Sequence, residues 1–287
     1  MNKTIKTLVA LLPLFITSCY NDDTTVTTNP QQDRVVAVNA GITREGSSTT
    51  GSDFASGDKI LITNVTRKDA GLICNSAVFT CNGSSWTMSE GTLLWSAGEE
   101  ENTFQAVYPS TASYSSFTVS SDQSDADKLK SADWMTCETT VTLANLTAAS
   151  SLNLEFKRKM AMVVVEITGA NVSTLNSLKF EWPSFEGNDY TINSADRKII
   201  AYKTSTEYDA TFSALIPPGT KGGALCELEI TDSDTNTDTK SLTLGSIQNF
   251  EASKKYTFQC SLNSQPGSAP TRSAAPDNLT LVSVEPM

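Results

Sequence analysis

The chain has 287 residues, with 21 basic and 32 acidic side chains and a formal net charge of −11. This acidic balance argues against binding to nucleic acid, whose phosphates require Lys and Arg. The chain contains no histidine, which excludes Ser-His-Asp and Cys-His catalysis and the usual zinc sites. The length predicts two domains, each able to bury its own core.

Residues 1–18 have the features of an export leader. Lys3 and Lys6 precede a short apolar run over residues 8–16, which is too short to span a bilayer. The run ends in ITSC, which looks like a bacterial lipobox and predicts lipid attachment at Cys19. An ordinary secretory signal that happens to contain a cysteine is the alternative. Residues 19–33 are polar and aperiodic, and they predict a flexible tether.

Residues 34–44 predict a first β-strand. Val36, Val38, Ala40 and Ile42 alternate with smaller or polar residues, as expected for a strand with one buried face. Arg44 follows, and then the run EGSSTTGS, which contains no side chain suited to a core. The strand is therefore expected to join its domain through a loose, accessible segment.

Residues 34–169 are predicted to form an N-terminal β domain. Within it, a hairpin is expected to turn at Asn82-Gly83, and a strand is expected to stop at Pro109. The stretch DQSDADKLKSADWM favours one short helix or a loop. The stretch MAMVVVEI is apolar on both faces, which predicts a strand in the interior of a sheet.

Residues 170–263 contain short strand-like runs separated by turn residues, a spacing typical of a β-sandwich. Residues 264–287 are predicted to be a Pro/Ser/Ala linker followed by a last strand. In that strand we expect Leu279 and Leu281 on one face and Val282 and Val284 on the other.

Five cysteines remain besides Cys19, namely Cys74, Cys81, Cys137, Cys226 and Cys260. An odd number cannot pair completely, so at least one is expected to be free or paired between chains. Cys226 and Cys260 both lie in strand-like runs and are the candidate disulfide. The alternative is that both are small buried apolar side chains.

Seven stretches in this order resemble the Bacteroidetes fimbrillins, which are type V pilins. They are SGDKILI, FTCNGSSWTM, LLWSAGEEENTFQAVYP, DQSDADKLKSADWM, LNLEFKRKMAMVVVEI, ALIPPG and KKYTFQCSL. The resemblance implies an all-β fold of two Greek-key, transthyretin-like β-sandwich domains in tandem with little helix. It also implies a structural subunit of a surface pilus rather than an enzyme, serving adhesion, with no cofactor and no metal.

In that family, an arginine-specific protease cuts after a first strand, and a strand of the next subunit fills the vacated groove. The resemblance places this cut between Arg44 and Glu45, and it makes Val36, Val38, Ala40 and Ile42 the displaced side chains. The candidate donor strand is the last one, through Leu279, Leu281, Val282 and Val284. Arg272 is a rival cut site. Alternatively, residues 34–44 are a permanent edge strand and the last strand pairs within its own chain.

The implied partners are other pilus subunits of the same or another kind, the processing protease, and an outer-membrane lipid anchor before cleavage. A host or bacterial surface ligand is a further implied partner. The competing class is a surface lipoprotein that does not polymerise and binds a glycan or host ligand. Tryptophans 86, 95, 134 and 182 would serve such a site by stacking on sugars, although we expect Trp86 and Trp95 in the core.

Overall fold

The computed structural model describes twelve segments of the chain. They are residues 37–42, 54–66, 75–95, 100–142, 145, 151–168, 175–181, 189–193, 197–205, 210–231, 237–261 and 277–287.

The described residues form β-strands joined by turns, with one short helix, α1 (Ala126–Ser131). The strands in chain order are β1 (Val38–Ile42), β2 (Lys59–Asn64), β3 (Asn75–Cys81), β4 (Trp86–Leu93), β5 (Glu101–Tyr108), β6 (Phe117–Val119), β7 (Met135–Thr142), β8 (Leu152–Arg158), β9 (Ala161–Thr168), β10 (Leu175–Glu181), β11 (Tyr190–Ile192), β12 (Lys198–Ile200), β13 (Tyr202–Ser205), β14 (Ala210–Ile216), β15 (Gly219–Lys221), β16 (Ala224–Thr231), β17 (Thr237–Leu244), β18 (Gln248–Phe250), β19 (Lys254–Ser261) and β20 (Asp277–Pro286).

Two curled sheets carry the fold, and each forms a sandwich-like domain around its own core, as the predicted all-β class requires. The first sheet has seven strands in the order β1-β8-β7-β5-β2-β3-β4. Its curl brings the two edge strands, β1 and β4, close to each other. Alternating apolar residues of these strands face inward, because successive side chains of a strand point to opposite faces.

The second sheet has nine strands in the order β12-β10-β16-β17-β20-β19-β9-β14-β13. Strand β9, which is the predicted interior strand MAMVVVEI, pairs with β14 on one side and with β19 on the other. Its interior position is therefore confirmed, and it accounts for the apolar residues on both faces.

The change from the first sheet to the second falls between Arg158 and Ala161, and not after residue 169 as predicted. Strand β8 pairs with β1 and β7 of the first sheet, whereas β9 belongs entirely to the second. The sequence shows no turn signal there, because no Gly, Pro, Asn or Asp separates the two strands. Strand β20 also belongs to the second sheet, so the tail predicted over 264–287 ends inside that domain.

The predicted turn at Asn82-Gly83 is confirmed, and helix α1 begins at a capping residue. The β3–β4 hairpin turns at Asn82 and Gly83, where Gly83 has a φ of 96° and the Asn82 side chain accepts a hydrogen bond from the backbone of Ser85 at 2.8 Å. The carboxylate of Asp125 caps helix α1 by accepting from the backbone N–H of Lys128 at 2.8 Å.

Residues around α1 pack on the second core although they precede β7 and β8 of the first sheet. Phe117 stacks on Trp134, with 5.7 Å between ring centroids, and Trp134 meets Tyr190 edge-on at 5.3 Å. The Tyr190 hydroxyl donates to the carbonyl of Lys159 at 2.8 Å. This aromatic cluster therefore lies at the point where the chain passes from one sheet to the other.

Candidate functional site

Strand β1 fills part of the first core from the edge of its sheet. Val38, Ala40 and Ile42 are buried, with 8%, 4% and 2% of their surface exposed. This alternation is the predicted one, while Val36 lies outside the described residues. Among the described strands, β8 is the one that hydrogen-bonds to β1, and the pairing is parallel. The strand is therefore deeply packed but is held in the sheet on one side.

The strand beside β1 contributes apolar side chains to the same core. Leu152, Leu154 and Phe156 of β8 lie beside Val38, Ala40 and Ile42 in register, and all three are buried. On the exposed face, the Asn39 side-chain amide donates to the Asn153 amide oxygen at 3.4 Å. We call the place that β1 occupies, between β8 and β4, the β1 groove.

Phe54 closes the β1 groove at the end where Ile42 pairs with Phe156. Its ring contacts Phe156 and Tyr108, each with 5.5 Å between centroids, and Trp86 of β4 at 5.1 Å. Phe54 is 5% exposed and belongs to the first core. The chain thus returns to the core soon after the segment that contains the predicted cut.

The predicted processing positions themselves are not placed by the structure. Cys19, Arg44, Glu45 and Arg272 lie outside the described residues. Ile42 and Phe54, on either side of Arg44, are both buried. The lipidation and cleavage roles therefore remain predictions.

The last strand, β20, pairs within its own chain. It lies antiparallel to β19 from Thr280 to Pro286 and parallel to β17 from Asp277 to Leu279. Beyond Leu279, no strand of the described part of the chain pairs with the other edge of β20. This arrangement is the predicted alternative in which the last strand pairs within its own chain.

The four side chains proposed for the donor strand have different surroundings. Leu279 is buried at 5% exposure, whereas Leu281, Val282 and Val284 are 40%, 52% and 48% exposed. The prediction that Val284 lies on the face opposite Leu281 is wrong. The register shifts between Leu281, which pairs with Phe258, and Ser283, so that Val282 is an extra residue. Because of this bulge, Leu281 and Val284 point to the same face.

Cys226 and Cys260 do not form the candidate disulfide. Both are buried thiols of the second core, 0% and 2% exposed, in agreement with the alternative that they act as small apolar side chains. Burial raises the pKa of the Cys226 thiol well above its usual value, which keeps it protonated and unreactive. Cys81 and Cys137 are likewise buried and unpaired with another cysteine, and Cys74 is not described.

A polar cluster that the sequence did not indicate lies beside Phe54. The buried carboxylate of Asp58 accepts from the backbone N–H of Ala55 at 2.7 Å and from the Tyr108 hydroxyl at 3.3 Å. The Lys130 ammonium of α1 lies 2.8 Å from the same carboxylate. Burial, and then the Asp58 charge, raise the pKa of Tyr108. The cluster joins residues that are far apart in the chain, so no local motif reveals it.

The polar cluster lines an open depression of about 330 Å³ but has no catalytic arrangement. Each oxygen of Asp58 already has a partner, so the group fixes the end of β5 against α1. Within the described residues, no three His, Cys, Asp or Glu side chains lie close enough to hold a metal ion. The same residues include no helix long and apolar enough to cross a membrane.

The three tryptophans that the structure describes do not form a common surface. Trp95 and Trp134 are buried at 1% and 3% exposure, each in a different core, and Trp86 is half-buried against Phe54. Trp182 is outside the described residues.

A family model described as fimbrillin-like matches residues 43–284 of this sequence. The chain therefore belongs to the fimbrillin-like family. Membership identifies a structural protein rather than an enzyme, a fimbrial or adhesin-like subunit of the cell-surface fimbrium, with other pilus subunits as its partners.

Solved structures agree with the fold of this fimbrillin-like chain. A candidate cell adhesion protein from Bacteroides ovatus has a TM-score of 0.56 at 17% identity, over 88% of this chain and 98% of that one. A candidate cell adhesion protein from Bacteroides uniformis has a TM-score of 0.55 at 18% identity, over 88% and 97% of the two chains. No curated protein sequence matches the fimbrillin-like chain significantly.

Proposed function

We propose that this fimbrillin-like chain is the lipoprotein precursor of a fimbrial subunit that polymerises by strand exchange. In this proposal Cys19 carries the outer-membrane anchor, an arginine-specific protease cuts between Arg44 and Glu45, and β1 then leaves. A strand of another subunit enters the β1 groove. The observation that carries the proposal is the position of β1, which is buried in the core and yet lies at the edge of its sheet.

The edge position makes β1 replaceable without unfolding the domain. Its backbone hydrogen bonds run to β8 and to no other described strand, so its departure leaves the remaining six strands of the sheet paired. The cost is the burial of Val38, Ala40 and Ile42, on the order of 5 kcal/mol in total. A new strand that supplies similar side chains and the same backbone bonds recovers that free energy.

The vacated groove would be unstable when empty. Leu152, Leu154 and Phe156 would lose their cover, and the edge of β8 would present unpaired N–H and C=O groups. An exposed apolar edge of this kind favours association with another strand. Cleavage would therefore convert a stable monomer into a reactive subunit with no need for a nucleotide.

Strand β20 is the proposed donor. Three of its apolar side chains, Leu281, Val282 and Val284, are about half exposed where the strand lies in its own chain. Beyond Leu279, no strand of the described residues pairs with its second edge. The segment between β19 and β20 spans residues 262–276, and an extended chain of that length reaches about 50 Å. The segment is thus long enough to let β20 reach a neighbouring subunit.

The proposal is tested by comparing the N-terminus and the oligomeric state of the wild-type chain and two arginine variants, each isolated from the native cell surface. Mass spectrometry should find the wild-type subunit beginning at Glu45 and present in an SDS-resistant ladder of oligomers. The Arg44→Ala variant should remain an uncut, lipidated monomer, while the matched Arg272→Ala variant should polymerise normally. An uncut wild-type chain that stays monomeric would contradict the proposal and favour a surface lipoprotein that binds a glycan or host ligand directly.

A further inference from the structure

The described part of the β1 groove has three inward positions of unequal size. Val38 lies beside Leu152, Ala40 beside Leu154 and Ile42 beside Phe156, and all are buried. The central position therefore contains a single methyl group between two larger branched side chains. Protein cores are packed closely enough that one or two additional methyl groups are not accommodated freely.

The register of a strand in this groove is fixed at one end. The Phe54 ring lies against Phe156, Tyr108 and Trp86, beside the place of Ile42. A replacement strand that slid toward that end would meet the ring. On the exposed face, the Asn39 side chain donates to Asn153 at 3.4 Å, between the first and second inward positions.

The last strand of this chain does not meet these requirements. No window of residues 277–287 places Gly, Ala or Ser between two apolar residues at alternate positions, because Ser283 is flanked by Leu281 and Glu285. The best fit puts Thr280, Val282 and Val284 in the places of Val38, Ala40 and Ile42. It puts Val282 where β1 has only the methyl group of Ala40, and it puts Leu281 in the place of Asn39.

We infer that the β1 groove selects a strand with a small residue at its centre, and that its occupant in the fimbria comes from a different subunit and not from a second copy of this chain. This inference rests on the proposed strand exchange. The inference requires at least two kinds of subunit in the fimbria. The β1 groove of this chain would bind a strand of another kind of subunit, and β20 of this chain would bind in the groove of another kind of subunit.

The first test uses the uncut full chain and needs no processing. Ala40→Val should accelerate hydrogen exchange of the β1 amides about tenfold, while Ala40→Ser, which is nearly as small as alanine, should change it much less. If Ala40→Val leaves both the β1 exchange and the melting temperature unchanged, the central position is not size-selective and the inference is wrong.

The second test offers synthetic peptides to the chain after its cleavage at Arg44, verified by mass. The peptide of residues 277–287 should bind at least about tenfold more weakly than the same peptide carrying Val282→Ala. Equal or tighter binding of the unmodified peptide would overturn the inference. A peptide of residues 34–44 is the positive control. If this peptide does not bind, strand exchange itself is contradicted. The hydrogen-exchange rates of Ala40→Val would still decide whether the central position is size-selective.

Discussion

Lys255 of β19 and Glu285 of β20 form an ion pair, with 2.7 Å between Nζ and Oε2. The hydrogen bond from Lys255 and its positive charge lower the pKa of the Glu285 carboxyl. Further toward its end, the strand is tied down where the backbone N–H of Met287 donates to the carbonyl of Ser253 at 2.9 Å. These two contacts hold the far end of the last strand in place, in addition to its backbone pairing with β19 and β17.

Glu285→Gln should loosen this docking slightly. Both partners are exposed to solvent, so the effect should be small and should fade at high salt, where the pair is screened. Because the folded pKa of Glu285 is lowered, its contribution is complete above the ordinary value of 4.5 and is lost as the pH falls through the folded value. Hydrogen exchange of the amides of residues 280–285 at low and high salt measures this, with the exposed Glu251→Gln as control.

Gly91→Ala should destabilise the first domain strongly. Gly91 has a φ of 74°, and a Cβ added there would lie 2.5 Å from the backbone carbonyl oxygen of Ser76 on β3. The strain and the backbone clash together predict a loss of about 2–4 kcal/mol in the free energy of unfolding. Gly57→Ala is the matched control, since its φ is 94° but nothing lies within 4 Å of the added Cβ. Equal losses in denaturant titrations of the two variants would contradict the clash.

Gln123→Ala should lower the free energy of unfolding markedly, although Gln123 is polar and lies outside the strands. The Gln123 side chain is fully buried, accepts from the backbone N–H of Leu215 at 2.8 Å and donates to the Leu215 carbonyl at 2.9 Å. Strand β13 pairs with β14 only as far as Ser213, so this amide replaces a neighbouring strand there. Removing it leaves a buried donor and acceptor without bonds, which predicts a loss of about 2–4 kcal/mol.

Thermal unfolding of the second domain measures the effect of Gln123→Ala. The exposed neighbour provides the control, because Ser124→Ala should change the free energy of unfolding by less than about 0.5 kcal/mol. A Gln123→Ala variant as stable as Ser124→Ala would show that Leu215 finds other partners.

Asp133 should make stability depend on pH above the ordinary carboxyl pKa of 3.8. Its Oδ2 accepts from Arg158 Nε at 2.9 Å, while Oδ1 is buried without a hydrogen-bond partner. Burial raises the pKa of Asp133, an effect that Arg158 opposes and the nearby Asp58 reinforces. A raised folded pKa means that the contribution is complete below the ordinary value of 3.8 and is lost as the pH rises through the folded value.

The comparison of wild type with Asp133→Asn isolates this contribution. The advantage of wild type in the free energy of unfolding should grow as the pH falls from 7 toward 4, and it should be smallest at pH 7. A difference that is constant over this range would show that Asp133 has an ordinary pKa in the fold.

The sequence predicts local features of this fold better than it predicts strand neighbours. The alternation of Val38, Ala40 and Ile42 and the turn at Asn82-Gly83 depend on a few adjacent residues, and both are present. An apolar pattern reveals which face of a strand is buried, but it does not say which strand lies beside it. The assignment of β9 to the second sheet therefore required the structure.

In the candidate site, too, the sequence predicts the buried face of a strand but not its neighbours. Burial of the first strand follows from its pattern, whereas the bulge at Val282 arises from pairing with β19, a partner that the pattern of β20 does not specify. Gln123 and Asp58 were missed for the same reason. Each polar side chain is buried because it meets a backbone or a side chain far away in the chain.

Strands β19 and β20 stand between two groups of strands that are made earlier, β12-β10-β16-β17 and β9-β14-β13. During synthesis no described strand joins β17 to β19 within the sheet until the final residues have left the ribosome. The second domain therefore closes late and through contacts between distant parts of the chain, a topology that slows folding. A chain that ends before β20 therefore leaves β17 and β19 without a described strand to join them in one sheet.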